Sequence, residues 1–262
     1  MATPAAAIVT ALDAWLAARL DAAAGPWLAQ AIAAIVAGDA RALALAWGLA
    51  PRKVGKAELN PTSAECAQAA QARPGWDPRP WSLDQAARAR LLLAIPAADA
   101  EGWLAAIDRL AAASDLGELV ALYQALALLP HPERLRLRAA EGVRANAGPV
   151  FAAIALDNPY AADHLDDAAW NQMVLKAIFS DRPLARIVGL DRRANPALAH
   201  MISGLAHERF AAGRTITGAA WRLVAPFAVH DGALMAALTD AVARGDRDAV
   251  AALATVSAPA RG

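Results

Sequence analysis

The sequence predicts an all-α protein, and three observations carry that prediction. Alanine supplies about 29% of the 262 residues and leucine follows, far above ordinary usage. Both are strong helix formers. The residues that favour strands, Val, Ile, Thr, Tyr and Phe, are sparse. Stop signals recur so that helices are joined by short turns. Such spacing suggests stacked antiparallel helix pairs, either as an α-solenoid of HEAT-like form or as a compact helical bundle. No fixed period runs through the chain, so a regular repeat array is not implied.

The first helices are predicted near 4–24, 26–38 and 39–50. Gly25-Pro26 separates the first two, as a terminal glycine followed by a proline at a helix start. Pro51 to Lys56 and Asn60-Pro61 read as non-helical. Further helices fall near 61–72, 82–95, 99–113 and 115–129, with Ser82, Asp84, Asp99 and Ser114-Asp115 placed where helix caps belong. Pro130-His131-Pro132 forbids continuation, because proline has no N–H and restricts the residue before it. Helices then resume near 132–147, 149–156, 166–180, 195–213, 217–225, 231–244 and 246–256. The tail from Ser257 reads as frayed.

One all-helical domain over 1–262 is expected, with a small N-terminal lobe at 1–72. The stretch Ala72 to Trp81 holds three prolines and two tryptophans. That composition makes a rigid packed loop rather than a linker.

Composition excludes several function classes. Formal net charge is zero, with no strongly basic stripe, so nucleic acid is not an expected partner. A single cysteine, Cys66, rules out an internal disulfide and fits a reducing, cytoplasmic setting. Asp13, Arg19 and Asp21 interrupt the apolar N-terminus, which lacks a basic leader, so it does not read as a signal peptide. No window has the uncharged length of a membrane span.

Polar side chains collect between Asp157 and Arg222. Amides and charges are costly near a core unless partnered, so their density marks a candidate site. The candidate ligand-binding residues are Asn158, Tyr160, Asn171, Gln172, Lys176, Asn195, His207 and Arg209. On a helix, Trp170, Met173, Val174, Ala177 and Ile178 form one apolar stripe. Asn171, Gln172 and Lys176 share the other side with Leu175 and Phe179, which predicts a helix buried nearly all round. Lys176 then either binds an anion in a polar cavity or pairs with a carboxylate such as Asp163 or Glu118. Arg52, Lys53 and Lys56 form a second candidate, an anion-binding turn, against the reading of a solvated loop. It is not a P-loop, since Ala57 stands where Ser or Thr is needed.

Metal chemistry is not expected, and no cofactor is. His207-Glu208 lacks the second histidine of a zinc-protease helix. His200 lies two turns from His207, about 10 Å by helix rise, too far to share one ion without outside ligands. Asp163, Asp166 and Asp167 around His164 are explained as charges that complement a helix start. No nucleophile elbow, Cys–His signature or dinucleotide fingerprint occurs.

Several stretches together resemble the EboA family. They are DLGELVALYQAL at Asp115–Leu126, AAEGVRAN at Ala139–Asn146, NPY at Asn158–Tyr160 and AWNQMVLKA at Ala169–Ala177. Further along come RANPALA at Arg193–Ala199, HERFAAGR at His207–Arg214 and WR at Trp221–Arg222. PRKVGK at Pro51–Lys56 and RPGWDPRPWSLDQAAR at Arg73–Arg88 extend the likeness, which covers roughly residues 45–230. Ala161, Phe210 and Gly218-Ala219 depart from the family pattern. The resemblance implies a gene neighbourhood with a UbiA-like prenyltransferase, a TatD-like hydrolase and sugar-phosphate-handling homologues. It also implies work in moving secondary-metabolite precursors toward the periplasm or envelope.

Three readings follow. The first is a cytoplasmic binding or adaptor protein that holds a small anionic or prenylated intermediate or docks a partner enzyme. The second is an enzyme that acts on such an intermediate through Lys176, His207 and Glu208. The third is a scaffold whose polar residues form only internal networks.

Overall fold

A computed structural model describes residues 4–257 of the chain. Among the described residues there are fifteen α-helices and no strand. One isolated bridge joins Glu58 to Ser82. The tail beyond Ser257 lies outside the described residues. The chain forms two compact units, one ending at Leu165 and one beginning at Asp166.

The first unit holds α1 (Pro4–Ala17), α2 (Ala24–Val36), α3 (Ala40–Lys53), α4 (Ser63–Ala72) and α5 (Leu83–Leu92). It continues with α6 (Ala100–Ala113), α7 (Leu116–Ala125), α8 (Arg136–Arg144), α9 (Gly148–Ala155) and the short α10 (Tyr160–His164). Helix α5 lies at the centre, and α1, α2, α3 and α7 all pack on it. Its alanines let neighbouring backbones approach, and Asp84 and Arg88 are buried with them. A solenoid element touches only its neighbours in the repeat order. Packing around a central helix is the compact-bundle arrangement.

Two helix ends differ from the sequence expectation. Helix α1 stops at Ala17 because the chain is turned by two side chains. Arg19 donates to the Trp15 carbonyl at 3.0 Å and the Leu59 carbonyl at 2.7 Å, and clasps Glu65 through bonds of 2.8 and 2.6 Å. Asp21 Oδ1 then accepts the N–H groups of Ala23 and Ala24 at 2.9 and 2.8 Å and opens α2. Gly25-Pro26 therefore lies inside the first turn of α2 rather than between helices. Proline is tolerated there because first-turn N–H groups have no intrahelical acceptor.

Helix α3 likewise runs through Pro51 to Lys53 instead of stopping at residue 50. Proline leaves the carbonyl four residues earlier without its helical donor. That carbonyl belongs to Trp47, and the buried Arg88 of α5 donates its Nε to it at 3.1 Å. The break predicted at Pro51 is thus repaired by a neighbouring helix.

The segment from Ala72 to Trp81 is packed, as its composition predicts. Trp76 packs at a tilt against Trp15 and Trp81, with ring centroids 5.4 and 5.8 Å apart. Main-chain bonds from Leu59 to Trp81 (2.8 Å) and from Leu83 to Ala57 (2.9 Å) tie down its end. At Pro130-His131-Pro132, His131 adopts φ 51°. Its Nε2 lies 2.8 Å from the Ala97 carbonyl, and its ring meets Trp103 edge-on.

The second unit holds α11 (Asp167–Phe179), α12 (Pro196–Ala211), α13 (Gly218–Ala228), α14 (Gly232–Ala243) and α15 (Arg247–Ser257). Helix α13 packs on α12, α14 and α15. Its Trp221 is fully buried and donates at 3.0 Å to Asp246, whose other oxygen caps α15. Helix α11 buries Trp170, Met173, Val174, Ala177 and Ile178 as predicted, but it is not covered all round. Gln172 is exposed and Phe179 is 70% exposed. Both lie about 180° from Trp170 at 100° per residue, so one stripe of packing leaves them outside.

Candidate functional site

The polar residues singled out in the sequence fall in both units. In the first, Asn158 follows the left-handed Asp157 (φ 54°) at the end of α9. It is buried, and its amide donates to the carbonyls of Tyr123 and Ala153, each at 2.9 Å. Its Oδ1 accepts the Tyr160 N–H at 3.0 Å. Tyr160 is fully buried and donates its hydroxyl to the Pro132 carbonyl. Burial holds that phenol well above the ordinary tyrosine range. Both side chains thus spend their polar atoms on backbone that links α7, α9 and the turn before α8.

In the second unit Asn171 and Asn195 pair through both amides, at 3.2 and 2.9 Å. Asn195 Oδ1 also caps α12 by accepting the Leu198 N–H at 2.9 Å. Arg193 lies over the Trp170 ring, 5.0 Å from its centroid, and bonds Asp167 at 2.6 Å. Arg209 turns its guanidinium on the carbonyl end of α11, reaching Ile178 at 3.2 Å, Asp181 at 2.9 Å and the Thr215 carbonyl at 2.9 Å. A cation there complements the negative end of the helix. Lys176 is half-buried, and desolvation pushes its pKa down. Asp163 bonds Arg73 at 2.8 Å, while the Glu118 carboxylate accepts the Asp115 N–H at 2.9 Å in the capping box of α7 and lies 3.6 Å from Arg88. His207 is exposed, with Nδ1 2.9 Å from the Ser203 carbonyl of its own helix.

Arg52 and Lys53 occupy the last turn of α3, and Lys56 follows the left-handed Gly55; all three are exposed. The helix presents carbonyls there, so the cations complement the helix end, as lysines and arginines in last turns do.

A different polar cluster lies at the heart of the first unit. Arg88 bonds Asp84 at 2.7 Å, and Asp84 accepts the Ser82 hydroxyl at 2.6 Å. Arg88 also lies over the Trp47 ring, 5.4 Å from its centroid. The sequence signal was available: Asp84 and Arg88 stand four apart on one helix face. Their burial was not legible, since it depends on helices remote in sequence.

The first unit also contains a cleft of about 340 Å³ between the α2–α3 turn and α6. Ile35, Leu43, Ile95 and Trp103 supply an apolar wall. Asp39, Asp99 and Arg109 supply charges. None of these stood out in the sequence except Asp99, read as a cap. An apolar-walled cleft with a few fixed polar groups is the ordinary form of a small-molecule site. Among the described residues no group of three His, Cys, Asp or Glu could hold a metal ion, and no helix is long and apolar enough to cross a membrane.

Among the described residues the protein is all-helical, with a small cleft lined by apolar and charged side chains. Residues 8–225 match the family model described as Metabolite traffic protein EboA. The match covers most of the chain, which therefore belongs to the EboA family and has a role in metabolite traffic. No curated protein matches the chain significantly, and no solved structure does.

Proposed function

We propose that this chain is a cytoplasmic binding component of secondary-metabolite precursor traffic, and that it holds a small intermediate in the cleft beside α6. The intermediate has an apolar body, such as a prenyl or ring system, and an anionic group. It passes between this protein and a processing enzyme such as a UbiA-like prenyltransferase. The cleft carries this reading. Its volume of about 340 Å³ lies within the range of small-molecule sites, about 300–1,000 Å³. Arg109 at its rim makes no hydrogen bond or ion pair with other described residues, so its fork is open to a ligand oxygen.

The test is native mass spectrometry of the protein purified from cells that make the precursor. A small molecule retained by the native chain and lost from Ala106→Trp, which fills the cleft, is the expected result. Equal retention by both proteins moves the site elsewhere. No retained molecule from producing cells counts against a carrier.

A further inference from the structure

The charges of the cleft are ordered along α6, and that order specifies a ligand more closely. Asp99, Gly102, Trp103, Ala106 and Arg109 lie at helical spacing and all line the cleft. Asp99 is the N-cap of α6, and Asp39 caps α3 at the neighbouring α2–α3 turn. Ten residues of helix separate Asp99 from Arg109, about 15 Å along the axis. Negative charge therefore sits at one end of the α6 wall and positive charge ten residues on.

The two carboxylates are only half used by their caps. Asp39 Oδ1 accepts the N–H groups of Arg41 and Ala42, both at 2.9 Å. Asp99 Oδ1 accepts that of Glu101 at 3.1 Å. In each residue Oδ2 has no hydrogen-bond partner among the described residues. The absence of a side chain at 102 places the second Asp99 oxygen: a Cβ there would come within 2.4 Å of Oδ2. The N-terminal ends of both helices are already filled by carboxylates, so an anion at that end would meet like charge. An anionic group is served only by Arg109.

We propose that the cleft takes an elongated dipolar molecule, with a cationic group at Asp39 and Asp99, an apolar body along Leu43, Trp103 and Ala106, and an anionic group at Arg109. This rests on the cleft being the binding site. A compact zwitterion cannot satisfy both ends, because its charges are too close together. Even with the arginine side chain folded back along the helix, the ligand charges stand on the order of 10 Å apart.

Calorimetric titration of the full chain with 8-aminooctanoate, octylamine and octanoate tests the proposal. The expected result is at least tenfold tighter binding of 8-aminooctanoate than of either single-headed probe. Asp99→Asn keeps a good cap. It should weaken 8-aminooctanoate and octylamine but not octanoate. Arg109→Gln should weaken 8-aminooctanoate and octanoate but not octylamine. Equal binding of the three probes, or binding indifferent to both substitutions, overturns the dipolar ligand. If Ala106→Trp still abolishes that binding, the cleft survives as the site. If no probe binds, or binding persists in Ala106→Trp, the cleft reading falls as well.

Discussion

Arg19 and Arg88 show how single side chains hold helices in register here. Arg19 bonds backbone from two segments and both oxygens of Glu65. The bonds from Arg19 hold the Glu65 carboxyl down at about 2. Its folded-state value lies below the unfolded one, so its stabilisation is complete above about pH 4.5 and is lost as pH falls toward 2. Glu65→Gln should therefore lower the melting temperature at pH 7 and make acid unfolding less steep between those values. Equal acid sensitivity in variant and parent would refute this. Arg88 is more deeply committed. Arg88→Met strands Asp84 and leaves the Trp47 carbonyl without that donor, at a cost of about 3–5 kcal/mol, read as a lowered denaturant midpoint.

At the scale of the element, α3 and α5 are coupled through Pro51. If Arg88 replaces the helical donor that Pro51 lacks, the two substitutions should interact. Pro51→Ala restores an N–H four residues from Trp47, so Arg88→Met should cost less in that background than alone. A double-mutant cycle with no coupling energy would show that Arg88 does not stand in for the donor that Pro51 lacks. These elements also show where sequence reading succeeds. Asp99, Asp115 and Asp166 were legible at helix starts because a cap is a local exchange between one side chain and the next turn's N–H groups. Gly25-Pro26 and Pro51 misled because a first turn tolerates proline and because a side chain 41 positions away can repair a helix. The Asn171–Asn195 pair spans 24 positions and had no periodic signature. The cleft was illegible for the same reason, as its walls come from separate helices.

For the whole molecule, the helical fold was legible because composition is summed over every residue, and local errors at helix ends leave the sum unchanged. Circular dichroism should report a helical fraction well above the ordinary globular share of about one third. A chelator should leave the melting curve in place, since the described residues offer no three-ligand cluster. A fall in melting temperature on chelation, restored by one metal alone, would contradict that.

The indoles of Trp15, Trp76 and Trp81 touch in series, at 5.4 and 5.8 Å between centroids. At such separations their electronic transitions couple, so the three should absorb circularly polarised near-ultraviolet light as one chiral chromophore. All three belong to the first unit. Replacing Trp76, the middle ring, with phenylalanine should collapse much of that signal while the peptide spectrum stays. The chain thus carries a built-in optical gauge of its N-terminal packing, readable during melting or titration without any added dye.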